Sequence, residues 1–441
     1  MLLEFKVKNY KSFVEEMIFS LIAAPKQTGL DYSLYEKAEG KKKLKVLSSS
    51  VIYGPNASGK TNIIGAMDTL RTIILRGNIR NSEERNYTNP ASSLLELIPN
   101  KESNDAQPVD FYIDFIENDI RFQYSLSIDL GMFLDAEYKR KILKESLSVD
   151  GKIVFSRDGG LTIGDLDGIN EYLVESSKQS IENIVSIAEN SLLDDELFLT
   201  NGFKLIFSQT IVKLIIDWLL SKFMVICHAD SMQLIKRFSD PQKRTIYIEK
   251  TTDRAAKIFG ANSNAIGYVL GEDDAEPKLC SLFKNVNNRN MAIAAEIFES
   301  YGTIRFINIF PIVIRAIKTG GTLVIDEFDA SIHPMALMSI INIFHNDDIN
   351  TKHAQLVFNT HNPIFLNSNL FRRDEIKFVE RDDNSHSSVI YSLSDFGTSG
   401  SNGVRKHEDY LKNYFISRYG AIKDIDFTPV FEEILSLESE S

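Results

Sequence analysis

A short apolar stretch, Val46–Tyr53, runs straight into Gly54-Pro55-Asn56-Ala57-Ser58-Gly59-Lys60-Thr61, and Asn62–Arg76 then places apolar residues at Ile63, Met67, Leu70 and Ile74. The first segment predicts a buried strand, and the last predicts a helix with Gly77 as its C-cap. The eight residues between them fit GxxxxGK[ST] in the setting that gives this pattern a mechanism, a strand before it and a helix after it. Glycines let successive backbone N–H groups turn inward around phosphate, and the helix N-terminus adds its partial positive charge. Lys60 would reach the β- and γ-phosphates, and the Thr61 hydroxyl would ligate Mg²⁺. The cofactors expected on this basis are ATP and Mg²⁺.

Three later segments extend the site. Thr322-Leu323-Val324-Ile325-Asp326-Glu327 is an apolar strand ending in two carboxylates. Four apolar or β-branched residues in a row predict burial on both faces, so the acids emerge at the ligand edge of a parallel sheet. Asp326 would hold the Mg²⁺ shell and Glu327 would polarise the attacking water. Gln355–Asn359 is a second short apolar strand, followed by Thr360-His361-Asn362-Pro363. Pro363 stops ladder pairing, which leaves His361 placed to sense a γ-phosphate. Ser300-Tyr301-Gly302-Thr303 precedes an apolar helical run and predicts either a second anion-binding helix start or an ordinary N-cap.

Composition excludes several classes. The 441 residues carry a net charge of −12, which disfavours indiscriminate binding to nucleic-acid backbones. The basic run Lys41, Lys42, Lys43, Lys45 reads as a solvated loop. Cys227 and Cys280 have no metal-ligand spacing and fit buried thiols of a reducing compartment. The start, MLLEFKVKNYKSF, alternates apolar and polar residues and lacks the pattern of a signal peptide. The stretch Phe203–Cys227 is broken by Lys204, Gln209, Lys213, Asp217 and Lys222, which predicts an amphipathic or buried helix rather than a membrane span. A cytoplasmic protein with no membrane partner is expected.

The chain divides into four predicted parts. Residues 1–108 form an N-terminal lobe with the phosphate loop, where Leu2–Phe13 and Glu16–Leu21 read as strands and Ile79–Asn89 as an exposed loop. Residues 109–165 alternate with period two and carry an Asp150-Gly151 turn, hence an antiparallel β insertion. Residues 166–290 read as mostly helical. Residues 291–441 return to α/β alternation, with Ala292–Ala316 as a helix.

The order of these motifs resembles the ABC-type ATPases, and more narrowly their SMC, RecF and OLD branch. LEFKVKNYKSF is similar to the N-terminal NF(K/R)SF signature of that branch, with Lys11 at the place of a phosphate-contacting basic residue. GPNASGKTN, including Asn62, matches its GxNxSGK(S/T)N loop, and Asp326–Pro334 resembles its DExDAxLHP run. Within the branch the chain looks most like the compact RloA-like and PARIS AriA-like ATPases of prokaryotic defence loci. The resemblance implies an α/β P-loop head with an antiparallel β subdomain and a helical insertion. It also implies a head-to-tail homodimer or higher homo-oligomer, in which Ser300 and Gly302 of one subunit close over ATP held by the other. The sequence departs from the pattern in three places: SYGT at the signature turn, His333 at the D-loop aspartate position, and only Gln123 as a candidate for the Q-loop.

Two functions compete. One is a defence ATPase whose ATP-dependent dimerisation holds or releases a separate effector encoded nearby, such as a nuclease. The other is a RecF- or SMC-like ATPase that clamps DNA in repair or recombination. An OLD-type nuclease is disfavoured by the short segment after His361, in which Asp424 and Asp426 read as a solvated turn. A transporter subunit is disfavoured by the insertions.

Overall fold

The computed structural model describes residues 1–439 apart from 26, 28, 40–41, 81–94, 102–104, 136, 165–180, 208, 228–244, 272–275, 285–286, 288–289 and 399–402. In chain order the strands are β1 (Leu2–Lys8), β2 (Met17–Ser20), β3 (Leu34–Glu39), β4 (Lys42–Leu47) and β5 (Ser49–Tyr53). Next come β6 (Val109–Glu117), β7 (Ile120–Asp129), β8 (Lys141–Val149), β9 (Lys152–Asp158) and β10 (Leu161–Ile163). They are followed by β11 (Phe223–Ile226), β12 (Thr245–Tyr247), β13 (Ala265–Val269), β14 (Lys278–Lys284) and β15 (Asn290–Ala294). The last four are β16 (Thr322–Ile325), β17 (Gln355–Asn359), β18 (Ile376–Arg381) and β19 (Ser388–Ser392).

A central sheet has the order β11-β16-β17-β5-β18-β19, parallel except for β19. Its strands are apolar on both sides because each side has its own core. Ile52, Val324 and Val357 face one core. Their neighbours Val51, Leu323, Ile325, Leu356 and Phe358 face the other. This period of two explains why the sequence showed unbroken apolar runs here. The helix Lys60–Arg76 buries Ile63, Met67, Leu70 and Ile74 in the first core. The same core holds Trp218, whose ring stacks on Phe115 at 3.9 Å and on Phe223 at 4.9 Å.

The antiparallel sheet has the order β10-β9-β8-β7-β6-β1-β2. The β segment expected at 109–165 therefore pairs with the first strands of the chain. Gln355 ties this sheet to the central one. Its Oε1 accepts from the Leu2 N–H (2.7 Å), and its Nε2 donates to the carbonyls of Leu2 (3.0 Å) and Leu47 (3.1 Å).

Residues 166–290 differ from the helical expectation. Helices Ile181–Ser191, Gln209–Ser221 and Lys250–Phe259 are present, but β12–β15 form a four-stranded antiparallel sheet. The stretch Phe203–Cys227 is likewise split into a helix and the core strand β11. The sequence signal there is weak because the strands are short: three residues in β12, and five in β13 and β15. The expected helix Ala292–Ala316 begins as β15, breaks at Glu299–Ser300, and resumes as the helix Tyr301–Thr319. The basic run is not a loop where it is described. Lys43 and Lys45 lie on β4 and pair with Glu36 at 2.7 and 3.7 Å. The loop expected at Ile79–Asn89 falls largely outside the described residues, as does Lys41. Among the described residues, no helix is long and apolar enough to cross a membrane.

Candidate nucleotide site

The loop after β5 is shaped by residues that only its own geometry explains. Gly54 and Gly59 hold φ of 158° and 110°, and Ala57 holds 62°. A side chain at Gly54 would meet the Val379 carbonyl at 2.3 Å, and one at Gly59 would meet the Ser12 and Ser388 hydroxyls at 2.8 Å. The loop is strapped from both sides: Ser388 Oγ donates to the Ser58 carbonyl (2.6 Å), and Ser388 N donates to the Ser12 carbonyl (2.7 Å). The following helix starts at Lys60 without a side-chain cap, so its first N–H groups have no side-chain acceptor at Gly59. The buried Ser58 Oγ also has no partner among the described residues. Unspent donors around a curved loop are what a phosphate group would satisfy.

Lys60 is nearly buried, and its Nζ donates to the carbonyls of Gly54 (2.8 Å) and Pro55 (2.9 Å). Burial pushes its ammonium down to about 8, partly offset by Asp326 and Glu327. Thr61 Oγ1 donates to Asp326 Oδ1 at 3.1 Å. A hydroxyl and a carboxylate oxygen side by side form the hard-oxygen pair that suits Mg²⁺, so the residues fit that ion.

Asn359, at the end of β17, organises the two acids. Its Nδ2 donates to Asp326 Oδ1, and its Oδ1 accepts from the Glu327 N–H at 2.5 Å. Glu327 sits in the left-handed region at φ 48°, which aims its exposed side chain toward the cavity. Arg305, on the helix Tyr301–Thr319, donates to the Glu327 carbonyl at 2.5 Å. Beside it, Thr360 Oγ1 donates to Asp329 Oδ2 (2.6 Å) and accepts from the Asn362 N–H (2.8 Å). His361 is held below the ordinary imidazole range by burial and then by the Lys60 cation, against the pull of Glu327 and Asp329. A ring kept neutral near pH 7 offers both an acceptor and a donor.

One cavity of about 470 Å³ is lined by Asn56–Asn62, Lys11, Glu327 and His361. Asp326 stands behind Thr61, and Gly54 and Pro55 hold Lys60, so these expected residues come together. Lys11 is fixed by an ion pair with Glu96 at 2.6 Å, and Asn62 Nδ2 donates to Ser12 Oγ at 2.8 Å. Ser300 and Gly302 do not line this cavity. Ser300 Oγ caps its own helix by accepting from Thr303 N at 3.1 Å. Gly302 lets the signature turn approach the loop after β16, because a Cβ there would lie 2.2 Å from the Ser331 carbonyl. His333 caps the helix Pro334–Phe344 through Nδ1.

Gln123 is displaced from its candidate role. It lies on β7, where its amide donates to the Tyr112 hydroxyl (2.9 Å) and to Asp114 (3.3 Å), away from the cavity. A glutamine on a paired strand has no reach to a phosphate at the edge of the other sheet. Asp426 accepts from Thr428 N at 2.8 Å, a helix-start contact. No group of three or more metal-ligating side chains occurs among the described residues.

Sequence reasoning missed Asn359, Ser12, Arg305, Phe133, Arg381 and His386. Asn359 was visible as the polar end of an apolar strand two residues before His361. Arg381 reaches the loop from β18 and donates to the Ala57 carbonyl at 3.3 Å, a placement with no local signal.

Comparison with solved structures returns heads of SMC proteins. One is the SMC head domain from Thermotoga maritima, at 13% identity and TM-score 0.35, covering 89% of this chain and 98% of that one. Another is an SMC head bound to the C-terminal winged-helix domain of ScpA, at 12% identity and TM-score 0.37, covering 89% and 97%. No curated protein matches. The family model described as AAA domain, putative AbiEii toxin, Type IV TA system matches residues 49–367, which span β5, the phosphate loop, both acids and His361, and the chain belongs to that family.

Proposed function

We propose that this chain is an ATPase that binds Mg-ATP in the cavity above β5, closes head to tail with a second copy, and uses that cycle to control a separate effector in defence against phage. The carrying observation is the continuous set of contacts from Thr61 to Asp326 to Asn359 to Glu327, beside a cavity that Lys60, Thr61, Asn359 and Glu327 line. Mg²⁺, held by Thr61 and Asp326, would neutralise charge on the phosphates. Lys60 exchanges its two loop carbonyls for β- and γ-phosphate oxygens. Glu327 accepts the proton of the attacking water, and His361 bonds the γ-phosphate.

The dimer part rests on Arg305. This side chain joins the signature helix to the Glu327 backbone within one copy, so a second copy closing on that helix would act on Glu327. Closure over ATP would also give Ser300 and Gly302 a partner in trans. Control of an effector rests on the resemblance to defence ATPases and on the family match. A DNA clamp is the alternative outcome, and the charge of −12 weighs against it.

Glu327→Gln is expected to keep ATP affinity while turnover falls by about 100-fold or more, measured as phosphate release. Lys60→Ala is expected to weaken binding itself. Full turnover in Glu327→Gln removes this residue as the base.

A further inference from the structure

The cavity has a lining of two chemical kinds. One kind is polar: the phosphate loop, Lys60, Glu327 and His361. The other is apolar, from Ile98, Pro99 and Phe133, with Asn100 and Lys101 next in the chain to Pro99. The apolar wall continues directly from the Lys11 turn. The Lys11 N–H donates to the Ile98 carbonyl (3.0 Å), and Asn100 Nδ2 donates to the Lys11 carbonyl (2.6 Å). Asn62, in the first turn of the phosphate-loop helix, bonds Ser12 on the same turn. A triphosphate whose γ end lies at Glu327 therefore leads past Lys60 and Asn62 toward the Lys11 turn and Ile98, and Phe133 lines the same cavity.

Phe133 is presented by a built loop. Gly131 holds φ 69°, and a Cβ there would lie 2.5 Å from the Tyr138 ring. Asp129 braces the turn, accepting from the Gly131 N–H (3.0 Å) and the Tyr138 hydroxyl (2.6 Å). Met132 O then accepts from Asp135 N at 3.1 Å, closing the loop around Phe133. Phe133 remains 38% exposed in a cavity that Lys60, Glu327 and His361 also line. A phenyl face held open beside a phosphate site suits a flat aromatic ligand group.

Resting on the reading of this cavity as an ATP site, we infer that Phe133, which lines it together with Ile98 and Pro99, is the base platform. The antiparallel sheet would thus select nucleotides over bare polyphosphate. Stacking on a phenyl face tolerates any base, so ATP and GTP depend on Phe133 alike.

The test is titration calorimetry of the full chain with Mg-ATP and with Mg-tripolyphosphate. Phe133→Ala is expected to weaken ATP on the order of tenfold and leave tripolyphosphate unchanged, while Phe133→Trp keeps ATP affinity. Unchanged ATP affinity in Phe133→Ala overturns the proposal, as does a parallel loss of both ligands. A loss of ATP preference in Arg381→Ala but not in Phe133→Ala moves the base to the β18–β19 hairpin and also overturns it. Lys60→Ala is the separate control: if it weakens neither ligand, the phosphate-loop reading itself fails.

Discussion

Strand β5 carries a hydroxyl, a histidine and a carboxylate near each of its ends, yet the two ends behave in opposite ways. At its start, Ser49 Oγ lies 2.8 Å from His345 Nε2 and donates to Glu375 Oε1 at 2.9 Å. Glu375 accepts a further bond from the Arg372 N–H at 2.7 Å, and all three side chains of the trio are buried. At its other end, Thr61, His361 and Glu327 open onto a cavity that the phosphate loop also lines. The same residue types are structural where they bond one another in a buried cluster closed to water. They are candidates for chemistry where they open onto a cavity that a ligand can enter.

Breaking the closed end should cost folding and spare chemistry. Glu375→Ala leaves the Ser49 hydroxyl and the Arg372 N–H without their acceptor, and is expected to destabilise by about 3 kcal/mol in denaturant unfolding. ATP affinity of the folded fraction should not change. A loss of turnover larger than the loss of folded protein would show that the two ends are coupled.

Sharpening the open end calls on Asn359. Removing its amide releases Asp326 and the Glu327 N–H together, so Asn359→Ala is expected to lower turnover on the order of tenfold with ATP affinity little changed. Equal turnover in this variant would remove it as a positioning residue.

A smaller effect follows from Lys60. Its folded value of about 8 lies below the ordinary 10.5, so the unfolded chain binds more protons between these values and fold stability rises with pH across that window. ATP affinity has the opposite sign. Phosphate favours the ammonium, binding takes up a proton above about pH 8, and affinity falls as pH rises. Calorimetry in buffers of different ionisation enthalpy measures that proton directly, and affinity constant from pH 7 to 9.5 would contradict the assignment.

The open end was legible in the sequence because its parts are contiguous: a strand, a glycine-rich loop and a helix start, then two strands ending in Asp326-Glu327 and His361. The closed end was not, since Ser49 and Glu375 stand 326 positions apart and neither segment carries a motif. The α/β architecture was legible from apolar runs and period-two alternation. The sheet β12–β15 was not, because strands this short leave little periodicity to read. Ser300 and Gly302 were found by pattern, but within one chain they serve a helix cap and a close backbone approach. Only a second subunit would give them the role that the resemblance implies.

The central claim is that ATP joins two copies across these sites, and the mass of the Glu327→Gln protein in solution tests it most directly, with and without Mg-ATP. A shift from one copy to two on adding Mg-ATP, abolished by a second substitution Lys60→Ala, is the predicted result. The same mass in both conditions, with ATP shown to be bound, would contradict it.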